Sequence, residues 1–319
     1  MKNILGIILL LLTGLITIGC TSTDSTTTTD KDVDLTVYTT IYPIQFAIER
    51  IGAETVTVNT VYPPGGDAHT YEPTSKKMTE VARSDAFIYL TSGMEAFAES
   101  MAGALSSEDV SIVELGEHEE LFEATVETHL EDEHDEEHSD DGHNHGDHDP
   151  HIWLDPLRML KMSHLVLDTL IELNPEKEEY YISNFNELET DLLNLEESYQ
   201  QTLIDKTNKK ILVSHSAYGY WEERYGLEQI SIHGLSSSDE PSQKELTEII
   251  EQAESSNLHY IIFEQNSSNR VSKIIQDHID AEALVIHNLS VLLDENIEND
   301  EEYLTLMEEN LKVLDLATN

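Results

Sequence analysis

A long amphipathic stretch in the middle of the chain limits the folds that this sequence can adopt. Between Pro175 and about Lys206 the apolar residues recur at spacings of three and four: Tyr181, Phe185, Leu188, Leu192, Leu195, Tyr199 and Leu203. This spacing predicts one continuous helix with a narrow apolar stripe, which would run for more than ~40 Å at ~1.5 Å per residue. An ordinary surface helix would show the same periodicity, but the length and central position favour a helix that joins two lobes.

Strand-like and helix-like segments alternate on both sides of this helix. The predicted strands span residues 35–40, 55–61, 86–90, 110–115, 211–214, 229–232, 259–264 and 284–287. Such alternation is typical of α/β domains with parallel sheets. We therefore predict the α/β class, with two lobes that each contain a mainly parallel sheet flanked by helices. One long rigid helix would join the lobes, and a ligand would bind in the cleft outside the carboxyl ends of the strands.

These patterns also divide the chain into segments. We predict a signal peptide at 1–19, a flexible tether at 20–32, an N-terminal lobe at 33–156, a linking helical segment at 157–207 and a C-terminal lobe at 208–319. Within the N-terminal lobe, residues 117–149 are crowded with histidines and acids and have few large apolar side chains after Phe122. Such a segment buries too little surface to offset its ordering entropy, so we expect a mobile loop.

The first twenty residues have the pattern of a lipoprotein signal. Lys2 supplies a basic start, residues 4–18 are mostly apolar, and Gly19-Cys20 ends the run. The run is shorter than the ~20 residues of a spanning helix, and Thr17 stands where such signals usually have Leu. Cys20 is the sole cysteine, so an intrachain disulfide is excluded. We expect Cys20 to carry the lipid that holds the protein on the outer face of the cell membrane, with two or more acyl chains.

The chain is strongly acidic, with 17 basic and 64 acidic residues and a formal net charge of -47. This balance argues against nucleic acid as a partner, because phosphate backbones are bound by Lys and Arg. It suits a protein that handles cations, although a solvated acidic surface would give much of the same excess.

Three histidines that lie far apart in the sequence form the candidate metal site. His69 follows a Pro/Gly turn after a predicted strand, His151 lies in a turn-rich run beside a tryptophan, and His215 follows a predicted strand. Each alone could be a hydrogen-bonded structural histidine, but the three together indicate a site assembled by the fold. Imidazole suits zinc, copper and nickel better than calcium or magnesium. Three imidazoles leave a fourth tetrahedral position for a carboxylate or water.

Further polar residues are candidates for supporting roles. Carboxylates that could accept hydrogen bonds from the ring N–H groups not used by a metal are Glu72, Asp155, Asp239 and Glu240. Histidines of the acidic loop that could make accessory metal contacts on flexible backbone are His134, His138, His143, His145 and His148. The alternative for the loop is an acidic segment whose histidines recur by composition alone.

Several of these runs, in this order, resemble the zinc- and manganese-specific substrate-binding lipoproteins of ABC importers. The matching runs are 39–43, 69–74, 149–154, 215–220, 234–236 with 239–242, and the C-terminal helix at 303–311. The resemblance extends from about residue 33 to the end, and a histidine-rich insertion before the second ligand is typical of the zinc-importing members. It implies that His69, His151 and His215 bind Zn²⁺ as transported cargo. It also implies an extracytoplasmic monomer without enzymatic activity, working with a permease and an ATPase.

The chain departs from this family at the fourth ligand. In the late turn where the family usually has an acid, this sequence has Ser290. The fourth ligand is therefore open between water, Asp294 and His287. Because manganese prefers carboxylate-rich sites, the loss of an acid favours zinc over manganese.

Other functions remain as alternatives. Three histidines with an open position also describe catalytic zinc, so a zinc hydrolase is one alternative, with Glu72 or Asp155 as general base. A His-Glu-x-x-His pattern that would support it is absent from the sequence. A manganese-binding member or an adhesin of the same family is the other alternative. The sequence also lacks a phosphate-binding loop, so an ATPase would have to be a separate chain.

Overall fold

The computed structural model describes residues 34–91, 93–123, 148–235, 241–265 and 270–319. The predicted signal peptide and tether lie outside these ranges. So do the following candidate residues: Cys20, His134, His138, His143, His145, Asp239 and Glu240.

The N-terminal lobe is built on a four-stranded parallel sheet. Its elements are β1 (Leu35–Thr39), α1 (Tyr42–Gly52), β2 (Val56–Thr60), α2 (Ser75–Val81), β3 (Ala86–Tyr89), α3 (Ala98–Leu105) and β4 (Ser111–Glu114). The strand order is β2-β1-β3-β4, and all three pairs are parallel. The carboxyl ends of these strands therefore lie along one edge of the sheet.

A pair of helices follows this lobe. They are α4 (Pro156–Leu173) and α5 (Glu178–Leu203), separated by the 3₁₀ turn Pro175–Lys177. Asp155 caps α4 by accepting hydrogen bonds from the backbone N–H groups of Leu157 at 2.8 Å and Arg158 at 3.1 Å, which satisfies donors of the first turn. The predicted central helix is thus present as α5, and its first predicted turn is a 3₁₀ turn.

The C-terminal lobe repeats the architecture of the first. Its elements are β5 (Lys210–His215), α6 (Gly219–Tyr225), β6 (Glu228–His233), α7 (Gln243–Ser255), β7 (Tyr260–Glu264), α8 (Arg270–Ile279), β8 (Glu282–Ile286), α9 (Asp294–Glu298) and α10 (Tyr303–Ala317). The strand order is β6-β5-β7-β8, again with every pair parallel. The prediction of two parallel-sheet lobes joined by a long helix is confirmed.

The apolar stripe of α5 packs against both lobes. All seven stripe residues that the sequence singles out are buried. Near the start of α5, the Asn184 side chain donates to the Ile51 carbonyl of the N-terminal lobe at 2.9 Å. Near its end, the Tyr199 hydroxyl donates to the Met307 carbonyl of α10 at 2.7 Å. One large cluster of buried apolar residues includes members of both lobes and the stripe of α5, so α5 holds the lobes together through its core contacts. A smaller, separate cluster lies in the C-terminal lobe around Leu212, Ile232 and Ile261.

Local sequence signals set several element boundaries. Ser242 and Glu245 form the capping box that begins α7. Gly226 ends α6 in the left-handed conformation with φ of 68°, which glycine adopts without a steric cost. Within the described ranges, every helix is too short or too polar to cross a lipid bilayer.

Glu95 is a fully buried carboxyl group in the N-terminal lobe. The Thr40 hydroxyl donates a hydrogen bond to it, and the backbone N–H of Thr91 donates another at 2.8 Å. Burial raises the pKa of Glu95 to about 7, although these hydrogen bonds oppose the rise. The folded protein therefore holds this group neutral over a pH range in which an unfolded chain ionises it.

We expect Glu95→Gln to flatten the pH dependence of stability between about pH 4.5 and pH 7. As the pH rises through this window, the unfolded chain ionises first, and the folded state loses relative stability. With a folded pKa of about 7, this loss amounts to about 3 kcal/mol. Urea unfolding at a series of pH values measures it. The exposed Glu108→Gln variant is the control, and equal slopes for the two variants would contradict the prediction.

Candidate metal centre

Three histidine rings from three separate segments meet between the lobes. One nitrogen each of His69, His151 and His215 lies within 4.8 Å of the other two. The ring centroids are 5.7 Å apart for His69 and His151, 5.6 Å for His69 and His215, and 5.0 Å for His151 and His215. Zinc bonds imidazole at ~2.0–2.1 Å, so nitrogens on one ion lie at most ~4.2 Å apart, and small shifts of these rings would let all three share an ion.

The loop after β2 carries His69. The N–H of Gly65, which adopts a left-handed φ of 69°, donates to the Leu292 carbonyl of the C-terminal lobe at 2.8 Å. Closer to the ring, Asp67 accepts a hydrogen bond from the backbone N–H of His69 at 2.9 Å. His69 is half-buried, whereas the other two rings are buried. The site is therefore most accessible from the His69 side.

Asp149 orients the ring of His151. Its Oδ1 accepts from the backbone N–H of His151 at 3.0 Å and lies 2.7 Å from the ring Nδ1. An acceptor at Nδ1 favours the tautomer that carries its proton there, which leaves Nε2 for a metal. The neighbouring Trp153 is fixed from the C-terminal lobe, since its indole N–H donates to the Asn288 carbonyl at 2.7 Å.

Glu264 orients the ring of His215 in the same way. These residues end the neighbouring parallel strands β7 and β5, and Glu264 Oε1 lies 2.7 Å from His215 Nδ1. The other carboxylate oxygen accepts from the Asn288 side chain at 3.0 Å. The second ring nitrogen, Nε2, lies 2.7 Å from the Leu235 carbonyl. A metal bound at Nε2 has to replace this carbonyl contact.

The charges around the rings are unequal. Burial, together with the charges of the other two histidines, lowers the pKa of His69 to about 4, so this ring is neutral at neutral pH. Burial would lower the pKa of His215, but the hydrogen bond and charge of Glu264 outweigh it and raise the pKa. Burial would raise the pKa of Glu264, yet the hydrogen bond and charge of His215 lower it. Glu264 is thus an ionised carboxylate that can balance part of the charge of a bound cation.

The carboxylates that accept hydrogen bonds from the histidine rings differ from those predicted from the sequence. Of the candidates for it, Asp155 caps α4 and accepts from Arg224 Nε at 2.6 Å, and Glu72 is exposed. The acceptors at the rings are Asp149 and Glu264. Glu264 could have been predicted from the sequence, because it ends a predicted strand and His215 directly follows another. The carboxyl ends of parallel strands share one edge of a sheet.

The residues considered for a fourth ligand lie in or after the turn that follows β8. The Ser290 hydroxyl donates to the Asn288 side chain at 2.9 Å. Both ring nitrogens of His287 have partners, since Nδ1 accepts from the Leu289 N–H at 2.9 Å and Nε2 lies 3.1 Å from Asn296 Oδ1. Asp294 is exposed. In the part of the chain that the structure describes, the one group that could hold a metal ion consists of the three histidines.

The two ends of the histidine-rich segment are close to each other. The rings of Phe122 and His148 stack with their centroids 5.2 Å apart. His148 is the one proposed accessory loop ligand among the described residues. Residues 124–147 lie outside the described ranges.

Comparison with known proteins identifies relatives over nearly the whole described chain. The profile of the ZnuA family, described as the periplasmic zinc-uptake complex component A, matches residues 37–317. The zinc-binding protein AdcA of Streptococcus pyogenes is 31% identical over 288 residues, which is 89% of this chain and 56% of that protein. This chain thus spans little more than half the length of these AdcA relatives.

Two further relatives are similar along most of their own length. The high-affinity zinc uptake system protein ZnuA of Bacillus subtilis is 28% identical and is matched over 94% of this chain and 93% of that protein. The crystal structure of the Zn(II)-bound ZnuA-like domain of Streptococcus pneumoniae AdcA superimposes with a TM-score of 0.71 at 28% identity. It covers 89% of this chain and 99% of that domain.

We expect Glu264→Gln to weaken Zn²⁺ binding by roughly 10- to 100-fold, the usual effect of losing a partner behind a ligand histidine. The glutamine keeps an acceptor for His215 but removes the negative charge that balances the cation. Competition with a chromophoric chelator measures the affinity. The exposed Glu282→Gln variant, also in the C-terminal lobe, is the control. Equal affinities for the two variants would exclude this role of the Glu264 charge.

Proposed function

Because the chain belongs to the ZnuA family of zinc-uptake components, we propose that it is the extracytoplasmic substrate-binding protein of an ABC importer. It captures Zn²⁺ and delivers it to a membrane permease that is driven by a separate ATPase. The ion is cargo, so the site has to bind it tightly and also release it.

The observation that carries this proposal is the convergence of His69, His151 and His215 within 4.8 Å. Three imidazole nitrogens form a tetrahedral zinc site with one position left for water or a carboxylate. The carboxylates of Asp149 and Glu264 lie behind the rings and strengthen them as ligands. Manganese would require more oxygen ligands than this nitrogen-rich group offers.

The contacts around the site favour a binding protein over a zinc hydrolase. A hydrolase needs a general base beside the metal-bound water. Asp155, one residue considered for that role, is engaged by the first turn of α4 and by Arg224. Glu72, the other one, is exposed.

Release of the ion proceeds through the His69 side of the site. His69 is the half-buried ligand, and it belongs to a loop rather than to a strand or helix. The lobes share one continuous core through α5, so a hinge motion of whole lobes would disrupt many apolar contacts. A local shift of the loop at 61–74 would open the site at a lower cost.

We place the protein on the outer face of the cell membrane, as a monomer with a lipid on Cys20. The signal pattern of the first twenty residues supports this placement, as does the similarity to the zinc-binding lipoprotein AdcA of Streptococcus pneumoniae. In the segment 117–149, we propose that His134, His138, His143, His145 and His148 gather zinc and pass it to the three-histidine site.

We expect His215→Ala to weaken zinc binding by several kcal/mol, or roughly a hundredfold or more in dissociation constant. The buried site offers no free imidazole to replace it among the described residues. Isothermal titration with Zn²⁺ and, separately, with Mn²⁺ measures both affinity and selectivity. The control is His278→Ala, which removes an exposed histidine of α8. Unchanged zinc affinity in His215→Ala would contradict the proposed function.

Deletion of residues 125–146 should lower the number of zinc ions bound and retain the tightest one. The stacking of Phe122 on His148 brings the two ends together, so a short Gly-Ser linker can join them. Titration calorimetry counts the binding events. A full-length variant with serine at 134, 138, 143 and 145 removes the histidines but keeps the segment, so it distinguishes loss of ligands from loss of the segment itself. Disappearance of the high-affinity event in either variant would overturn this division between loop and site.

A further inference from the structure

The start of α6, which follows the third histidine, packs against the carboxylate that orients the second. Asp149 Oδ1 is bound to His151. Its other oxygen, Oδ2, lies against Gly219, where an added Cβ would come within 2.8 Å of it. The hydroxyl of Tyr220 donates to the Asp149 backbone carbonyl at 2.6 Å. Asp149 is thus fixed from the C-terminal lobe at both its side chain and its backbone.

We propose that Gly219 and Tyr220 are positioning residues for metal binding, which act on His151 through Asp149. This inference rests on the proposed zinc-binding function and extends it to residues that do not touch the metal. The segment from β5 to α6 then supplies one ligand, His215, and also sets the geometry of another.

Gly219 leaves room for the Asp149 carboxylate, which a side chain at this position would displace. Gly65 and Gly226 are the described glycines with positive φ, so the backbone at Gly219 suits any L-residue. Alanine is also a better helix former than glycine. The sole obstacle to a side chain here is the Asp149 carboxylate, whose oxygen would have to move away from a Cβ at 2.8 Å. Because Asp149 is hydrogen-bonded to His151 Nδ1, the His151 ring would either lose this hydrogen bond or move with the carboxylate.

Arg158 fixes the ring of Tyr220 in turn. Its guanidinium carbon lies 4.1 Å from the centre of the Tyr220 ring, a cation–π contact. Arg158 is fully buried, and its Nη2 donates to both carboxylate oxygens of Glu223 of α6, at 2.9 and 2.7 Å. The same group donates to the carbonyls of Leu121 at 2.8 Å and Glu123 at 2.7 Å. The tyrosine hydroxyl is therefore aimed at Asp149 by a rigid network.

The experiment compares Gly219→Ala with Gly103→Ala in the full chain. Gly103 lies in α3, and an added Cβ there meets nothing within 4 Å. We expect Gly219→Ala to lower the Zn²⁺ affinity by roughly 10- to 100-fold, as expected for losing a ligand's outer partner. Its metal-free unfolding midpoint should stay near that of the wild type. Tyr220→Phe should lose roughly 2- to 10-fold, because one hydrogen bond is removed and the ring remains.

A second measurement detects the hydrogen bond that orients the His151 ring, and it requires no metal. Two-dimensional ¹H–¹⁵N spectra of the histidine side chains report which ring nitrogen carries the proton. The wild type and Gly103→Ala should show His151 protonated at Nδ1, and Gly219→Ala should show a loss of this tautomer. A change confined to the overall stability would leave these signals in place.

Three results separate the possibilities. Wild-type affinity and an unchanged His151 tautomer in Gly219→Ala would overturn the positioning role. An equal loss of Zn²⁺ affinity in Gly103→Ala would also overturn it. So would a loss of affinity in Gly219→Ala that comes with a lower metal-free unfolding midpoint and an unchanged His151 tautomer. A wild-type chain that binds no zinc would contradict the proposed function instead, and the tautomer measurement would still decide whether Gly219 positions His151.

Discussion

The site depends on one geometric constraint, which is that rings from three distant segments must lie within a few ångströms of each other. Neither a short motif nor a disulfide holds them, because His69, His151 and His215 are spread over more than a hundred residues and the single cysteine is Cys20. The relative position of the two lobes therefore has to be fixed by packing. The buried stripe of α5 and the continuous apolar core provide this fixation.

Two carboxylates then orient two of the three rings. Asp149 and Glu264 each lie at Nδ1 of a histidine, which leaves Nε2 as the nitrogen available to a metal. Asn288 connects these arrangements, because its side chain donates to Glu264 and its carbonyl accepts from Trp153. The turn after β8, where a fourth ligand was expected, thus supports the ring geometry.

The sequence predicted those features that depend on local periodicity and failed on those that depend on which segments become neighbours. The apolar spacing identified every buried residue of the α5 stripe, and the strand–helix alternation indicated parallel sheets. Strand order is not local, so the pairing of β5 with β7 that brings Glu264 to His215 was not foreseen. Asp155 was predicted to accept from a histidine ring, but Asp155-Pro156 begins α4, and the Asp155 carboxylate caps that helix instead.

The shared core also has a consequence for how long the protein survives. Since one apolar cluster runs through both lobes and α5, partial unfolding of either lobe would disperse the three rings. Ion occupancy is therefore linked to the resistance of the whole chain to proteolysis, and an ion at a hundredfold excess over its dissociation constant adds about 2.7 kcal/mol. Copies of the protein without the ion would therefore be cleaved by proteases faster than copies that hold it.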